Sequence, residues 1–398
     1  MNVKTIAVVC LMLIAYAPII AQLPTTYLVK PERLASVKER FKKNDATAKA
    51  WVKAIVKDAD KELNNSVFTV MQKSQTPPSG SKHDYMSLAP YFWPDPSKPN
   101  GLPYMRKDGE RNPEIKSITD HKQIDDMVSA VKFLTLAYYF TDNEKYAAKA
   151  TSVLHAWFID TATLMNPNLN FAQAIKGEND GRGIGLIETV GLIQVVNGVG
   201  LLAGSKSWSS KDDAVLKTWF STFLNWMQTS KNGIDEHNAK NNHGIWYDAQ
   251  ISAFSLFLGK QDFLKEYLSS TLKRIPVQIE PDGKQPLELE RTTSLGYSTM
   301  CLEAWFTTAT LAEQVKVNIW DYATPDGRSI KKALDWLLPY ALGEKEWTYK
   351  QIHPYSQSKL YTLLLLAAEH YTNESYYQAS LQIKEKADNV VTDVFYGR

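Results

Sequence analysis

A chain of 398 residues is long enough for one large domain or two modest ones. Apolar residues make up 44% of it, which excludes a disordered chain and supports a substantial core. The net charge is only +2, so nothing in the composition calls for nucleic acid or an anionic membrane as a partner.

The first element in chain order is a targeting segment. Met1 to Lys4 supplies a short positive region, Thr5 to Ile20 is nearly all apolar, and Ala21 offers a cleavage point before Gln22. This pattern reads as a secretory signal peptide over 1–21 and places the mature chain, 22–398, in the periplasm or outside the cell. Cleavage would leave Cys301 as the sole cysteine, so no intramolecular disulfide and no cysteine-based metal site is expected. No later apolar run is read as a membrane span.

Residues 31 to 63 carry helical spacing. From Ser74 to about 115 the chain is rich in Pro, Gly, Tyr and Trp and cannot form a long helix. A stretch of this length reads as a lid or binding loop, with His83 to Pro96 at its centre. Helical periodicity then dominates. Ile124–Phe140 and Asn143–Phe158 form a hairpin, and a polar insert runs from Met165 to Ala174. Helices are expected over Ile184–Leu202, Lys211–Thr229, Asn242–Leu258, Gln261–Arg274, Ser294–Ala312, Ser329–Leu338, Ser358–Tyr371 and Glu374–Lys384. Serial antiparallel helical hairpins with almost no strand alternation point to an all-α fold, a single-domain α/α toroid or incomplete α/α barrel. The 11 Trp, 20 Tyr and 14 Phe suit either a sugar-stacking groove or a large helical core.

Two stretches carry candidate chemistry. In Asn241 to Gln250, His243, Trp246, Tyr247 and Gln250 share one helical face, which is polar and aromatic where a core helix shows Leu and Val. Taken alone, capping by Asn241 or Asn242 and a core histidine explain it. In Glu280 to Ser298, Pro281-Asp282-Gly283 is a turn, and Thr292, Thr293 or Ser294 can cap the helix that carries Tyr297. Arg291, taken alone, pairs with Glu288 or Glu290 in solvent.

Together the two stretches suit β-elimination on a uronic acid polymer. The C5 hydrogen of a uronate is weakly acidic because the carboxylate is already negative. Asn and Arg can neutralise that carboxylate. His and Tyr can take H5 and protonate the departing O4 when their surroundings tune them.

At this point the sequence resembles a known family. Asn-Asn-His-Gly-x-Trp at 241–246, Pro-Asp-Gly-x-Gln-Pro-Leu-Glu-Leu at 281–289 with Arg291 and Tyr297, and the loop His83 to Pro96 are similar to the alginate lyases of α/α toroid fold. Met165 to Gln173 and Thr324 to Ser329 are similar to further recurring segments of that family, and the likeness runs from about Tyr85 to Leu338. The resemblance implies a polysaccharide lyase cutting 1,4-linked uronic acid polymers, alginate foremost, without cofactor or catalytic metal. It implies that Asn242 neutralises the C5 carboxylate with help from Arg291. His243 would be the base when H5 and O4 lie on opposite ring faces. Tyr297 would protonate O4, and would also take H5 when both lie on one face. Gln173 would contact a sugar carboxylate or hydroxyl. His83, Tyr85 and Trp93 would belong to the lid, and Trp246 and Tyr247 would shape the groove.

Competing expectations are a glucuronan or glycosaminoglycan lyase, which shares the carboxylate chemistry, and a toroid hydrolase using acids such as Asp125, Asp126, Glu178 or Asp180. A non-catalytic glycan-binding protein of the cell surface is a third. Gln22 stands where a lipid-anchoring cysteine would be, which weighs against surface anchoring.

Overall fold

Helices begin almost at once in the computed structural model, which describes residues 23–387 and 389–398. The expected signal peptide lies outside the described residues. The helical stretch at 31–63 is two helices, α1 (Pro31–Lys42) and α2 (Ala46–Leu63). Asn44 breaks them with φ 65°, and the Asp45 side chain accepts from the Ala48 amide to cap α2. α3 (Asp120–Thr141) and α4 (Glu144–Leu154) form the expected hairpin. Asp142, with φ 55°, ends α3, and the Asn143 side chain caps α4.

The apolar run at 184–202 is not one helix. Gly183–Thr189 is a 3-10 segment, and α5 covers only Leu192–Val199. A Cβ on Gly185 would sit 2.4 Å from the Ala172 Cβ, so the chain packs here at a distance that a regular helix with side chains does not allow. By length and composition Gly183–Leu202 could cross a membrane, which the sequence reading did not anticipate, but 67% of that window is buried inside the fold. α6 (Ser210–Thr229), α7 (Lys231–His237), α8 (Asn242–Phe257), α9 (Gln261–Thr271), α10 (Ile275–Gln278) and α11 (Pro286–Leu289) follow. α12 (Ser294–Glu313), α13 (Ile330–Ala341), α14 (Ser358–His370), α15 (Glu374–Ala387) and α16 (Val390–Tyr396) complete the series.

Packing runs α2 to α3, α3 to α5, α5 to α8, α8 to α12, α12 to α14, α14 to α16, and α16 back to α2. The fold is an α/α toroid. Every residue of α8 except His243 is buried, as an inner helix requires. The aromatic surplus goes mainly to the core: Trp219 packs edge-on to Phe158 at 4.8 Å and to Phe220 at 5.1 Å, and Phe220 meets Phe254 at 5.0 Å.

Strands among the described residues are short and all serve the groove. β1 (Met86–Leu88) pairs in parallel with β4 (Phe171–Ala174), and β2 (Phe92–Trp93) pairs antiparallel with β3 (Met105–Arg106). The expected lid is therefore a folded ribbon lying across the mouth of the toroid. Its root is pinned by a fully buried ion pair, Lys73 Nζ to Asp120 Oδ2 at 2.8 Å, at the start of α3.

Candidate active site

A groove of about 1720 Å³ runs between the ribbon and the ends of the inner helices. It exceeds the roughly 300–1,000 Å³ of a drug-sized pocket and has room for several sugar units. His243 and Asn241 line it from the start of α8, Arg291 and Tyr297 from the start of α12, and Tyr91 from the ribbon. Gln173 and Arg182 line it further along, with His121 and Glu188 beside them.

Asn241 caps α8, its side chain accepting from the His243 amide at 3.3 Å. This puts His243 on the first exposed turn of an otherwise buried helix. Its ring lies 12% exposed, and Nδ1 donates to Glu236 Oε1 at 2.7 Å. Glu236, on α7, is 2% exposed. Among the described residues Nε2 of His243 has no hydrogen-bond partner.

Tyr297 stacks beneath Arg291, whose guanidinium carbon is 3.7 Å from the ring centroid. Its hydroxyl is 2.9 Å from that of Tyr91. Burial pushes the Tyr297 phenol well up, more than Arg291 pulls it down, so it is protonated in the free site. Arg291 does not pair with Glu288 or Glu290 in solvent, as the local sequence suggests. It makes a two-atom bond to Asp108 on the ribbon, Nη2 to Oδ1 at 2.7 Å and Nε to Oδ2 at 3.2 Å. Burial would raise Asp108, but Arg291 and the Thr292 hydrogen bonds outweigh it and hold the carboxyl well below its usual range. Thr292 is spent on Asp108 and Ser294 on the Lys350 carbonyl, so neither side chain caps α12 as expected.

Asn242 differs from expectation. It is fully buried below the groove, its backbone amide and Nδ2 both donating to Glu288, at 2.6 and 2.8 Å. The groove-facing amide is Asn241. Gln173 does line the groove, but its Oε1 accepts from Arg182 Nη2 at 3.0 Å. It adopts φ 51°, and its amide is tied to the Ser87 hydroxyl at 2.8 Å.

The remaining expected contacts lie outside the groove. Tyr85 is fully buried and donates to Glu188 at 2.7 Å. His83 Nδ1 bonds the Leu164 carbonyl, and Trp93 donates to the Glu110 carbonyl. Trp246 and Tyr247 are buried, with the Tyr247 hydroxyl on the Met227 carbonyl. Side chains of this size near an inner helix find more apolar surface in the core than in a wet groove. Sequence reasoning missed Tyr91, Asp108, Glu236 and the far-end pair His121–Glu188. Tyr91 lies inside the stretch singled out as the lid, so its place there was the available signal.

The far end is a closed network. His121 Nδ1 is 3.1 Å from Glu188 Oε1, and its Nε2 is 3.4 Å from Asp125. Partial burial works against its charge, but Asp125 and Glu188 outweigh it and push the imidazole up to about 10. Ser87 and Tyr85 take the other Glu188 oxygen. Along the groove Arg111, Lys116 and Lys240 have no carboxylate partner among the described residues, which leaves free cations for an anionic chain.

Comparisons with known proteins agree with this architecture. The family model described as alginate lyase matches residues 69–347. A crystal structure of an alginate lyase from Bacteroides ovatus is 40% identical, with 94% of this chain and 99% of that chain covered and a TM-score of 0.89. Alginate lyase A1-III from Sphingomonas species A1 is 15% identical over 82% of this chain and 88% of that one, with a TM-score of 0.52. A variant of alginate lyase A1-III complexed with a tetrasaccharide gives the same identity and coverage and a TM-score of 0.54. At that identity the likeness to A1-III is one of fold. No curated protein sequence matches. The matched family spans most of the chain and contains both the groove and the helices that build it, so this polysaccharide lyase belongs to the alginate lyase family.

Proposed function

We propose that the chain cleaves alginate by β-elimination, with His243 and Tyr297 moving the protons. The observation that carries this reading is the pairing of an oriented imidazole with a protonated, cation-stacked phenol in one groove lined by free cations. The carboxylate of the reacting sugar is received by Arg291, which keeps Nη1 free of hydrogen bonds among the described residues, and by Lys240 and Asn241 beside His243. Withdrawing charge from that carboxylate stabilises the carbanion formed at C5. Asn242 acts from below, fixing the first turn of α8 through Glu288.

Where H5 and O4 lie on opposite faces, His243 takes H5. The C5–H electron pair becomes the C4=C5 double bond and the C4–O4 bond breaks. Tyr297 gives its proton to O4, which leaves as the hydroxyl of the adjoining sugar. Where both lie on one face, Tyr297 first gives up its phenol proton to solvent, and the resulting phenolate takes H5 and returns that proton to O4. Arg291 over the ring stabilises that phenolate. Of the four acids open to the hydrolase alternative, two are committed elsewhere, Asp125 to His121 and Asp126 to Lys122. Export through the N-terminal segment would bring the enzyme to its polymer.

The test is ultraviolet absorbance of the conjugated uronate with alginate, glucuronan and a heparin-type polymer. A rise with alginate is expected. No rise with any of the three sinks the lyase reading, and a rise with glucuronan alone moves the substrate.

A further inference from the structure

We infer that Glu236 is a positioning residue that makes His243 a base and thereby supports cleavage of uronates whose H5 and O4 lie on opposite ring faces. The inference rests on the lyase reading above and adds to it a determinant of which sugar epimer is cut.

A neutral imidazole has one N–H and one lone pair, and the partner of the first decides where the second lies. The Glu236 carboxyl is buried to 2% exposure, with Oε1 2.7 Å from Nδ1 of His243. A buried carboxylate accepts and cannot donate, so it selects the form with the proton on Nδ1 and leaves the lone pair on Nε2. Its second oxygen, Oε2, is buried without a hydrogen-bond partner among the described residues. Among the described residues the imidazole N–H is the one hydrogen-bond donor to this carboxylate, and so its direct compensation. When His243 accepts H5 and becomes a cation, the same carboxylate stabilises it.

The backbone brings Glu236 there by close packing. α7 lies on the Gly183 turn, where an added Cβ would be 2.7 Å from the Asn232 carbonyl oxygen and 3.0 Å from the Glu236 amide. Gly183 is thus the residue that lets α7 approach closely enough for a seven-residue reach to His243. The other charged neighbour that senses Glu236 is Arg182, which is held by Gln173. Tyr297 is stacked on Arg291 and bonded to Tyr91, and among the described residues it has no hydrogen bond to Glu236. The two proton routes therefore depend on Glu236 unequally. Guluronate, with H5 and O4 on opposite faces, needs His243. Mannuronate, its C5 epimer, is served by Tyr297.

The experiment measures initial rates on guluronate and mannuronate polymers for the parent, Glu236→Gln, His243→Ala and the double variant, with thermal unfolding alongside. For Glu236→Gln the expected result is a loss of kcat on guluronate of about a hundredfold, with KM little changed. That loss should exceed the loss on mannuronate by about tenfold or more, and the substitution should add nothing in the His243→Ala background. Equal losses on both polymers, a further loss in the His243→Ala background, or no loss at all would overturn the proposal. So would a parent enzyme that cleaves only mannuronate and is indifferent to His243→Ala. If Glu236→Gln does not fold, Glu236→Asp keeps the charge and shortens the reach, and the same selective loss is expected of it. A parent inactive on every polymer removes the lyase reading itself, an outcome distinct from a Glu236 variant that merely loses selectivity.

Discussion

Two histidines face the same groove in opposite electrostatic settings. His243 meets one carboxylate, Glu236, and has a nitrogen to spare. His121 lies between two, Glu188 and Asp125, and is pushed up to about 10. One carboxylate orients an imidazole and leaves its second nitrogen free, whereas two hold it as a fixed cation with no free nitrogen. On the proposed reading the groove divides into an end that moves protons, at His243 and Tyr297, and an end that holds its shape through Glu188, Ser87 and Gln173.

The comparison breaks most sharply at Tyr297. In both proton routes it protonates O4, so Tyr297→Phe should lower kcat by about a thousandfold on every cleaved polymer. A loss confined to one polymer would remove its shared role. Because burial holds the phenol protonated, kcat/KM on guluronate, where Tyr297 acts as the acid, should not fall as pH passes through the ordinary phenol range near about 10. A fall there, measured on the parent, would place Tyr297 in a wetter site than the structure gives.

At the other end the largest effect is on stability. Lys73→Met leaves Asp120 buried without its partner and should cost about 3–5 kcal/mol by denaturant unfolding. Activity per folded molecule should survive, and its loss would extend the proton-moving end further than the division allows. Asp108→Asn frees Arg291 and loosens the ribbon at once. A cost of up to about 3 kcal/mol and a loss of about tenfold in kcat are expected, seen together in melts and rates.

The smallest effect belongs to His121. Its side chain is 39% exposed, so water screens its pairs and His121→Gln should cost about 1 kcal/mol or less near neutral pH. The sign follows from a folded value of about 10 against about 6.5 unfolded. The charge contributes fully below about pH 6.5, and its contribution is lost as pH rises through about 10. The melting temperatures of parent and variant should converge above that pH. A gap that persists or widens would mean that His121 acts through packing.

Much of this was legible in the sequence, for reasons that particular residues make plain. Helical spacing is a local signal, so α3, α4, α6, α8 and α12 could be read directly. Asn241 announced the start of α8, and His243, Arg291 and Tyr297 line one groove as their motifs suggested. Long-range partners leave no such trace. Asp108 reaches Arg291 across 183 residues and Tyr91 reaches Tyr297 across 206, and nothing near either position marks the pairing. The amides of Asn241 and Asn242 could not be told apart, because which one faces the groove depends on Glu288, on a separate helix. The resemblance implied a lid role for Tyr85 and Trp93 and a groove-shaping role for Trp246 and Tyr247, yet each is spent on packing or on a backbone carbonyl or carboxylate. The run at 184–202 read as one helix because apolar spacing hides what the glycines permit, a close approach that breaks it.

The most direct test of the account is the ultraviolet signal of unsaturated uronate from alginate, followed for the parent and for Tyr297→Phe at equal folded concentration. The account requires a steady rise for the parent and a rate lower by about a thousandfold for the variant. A variant as fast as its parent, or a parent that produces no signal, would contradict it.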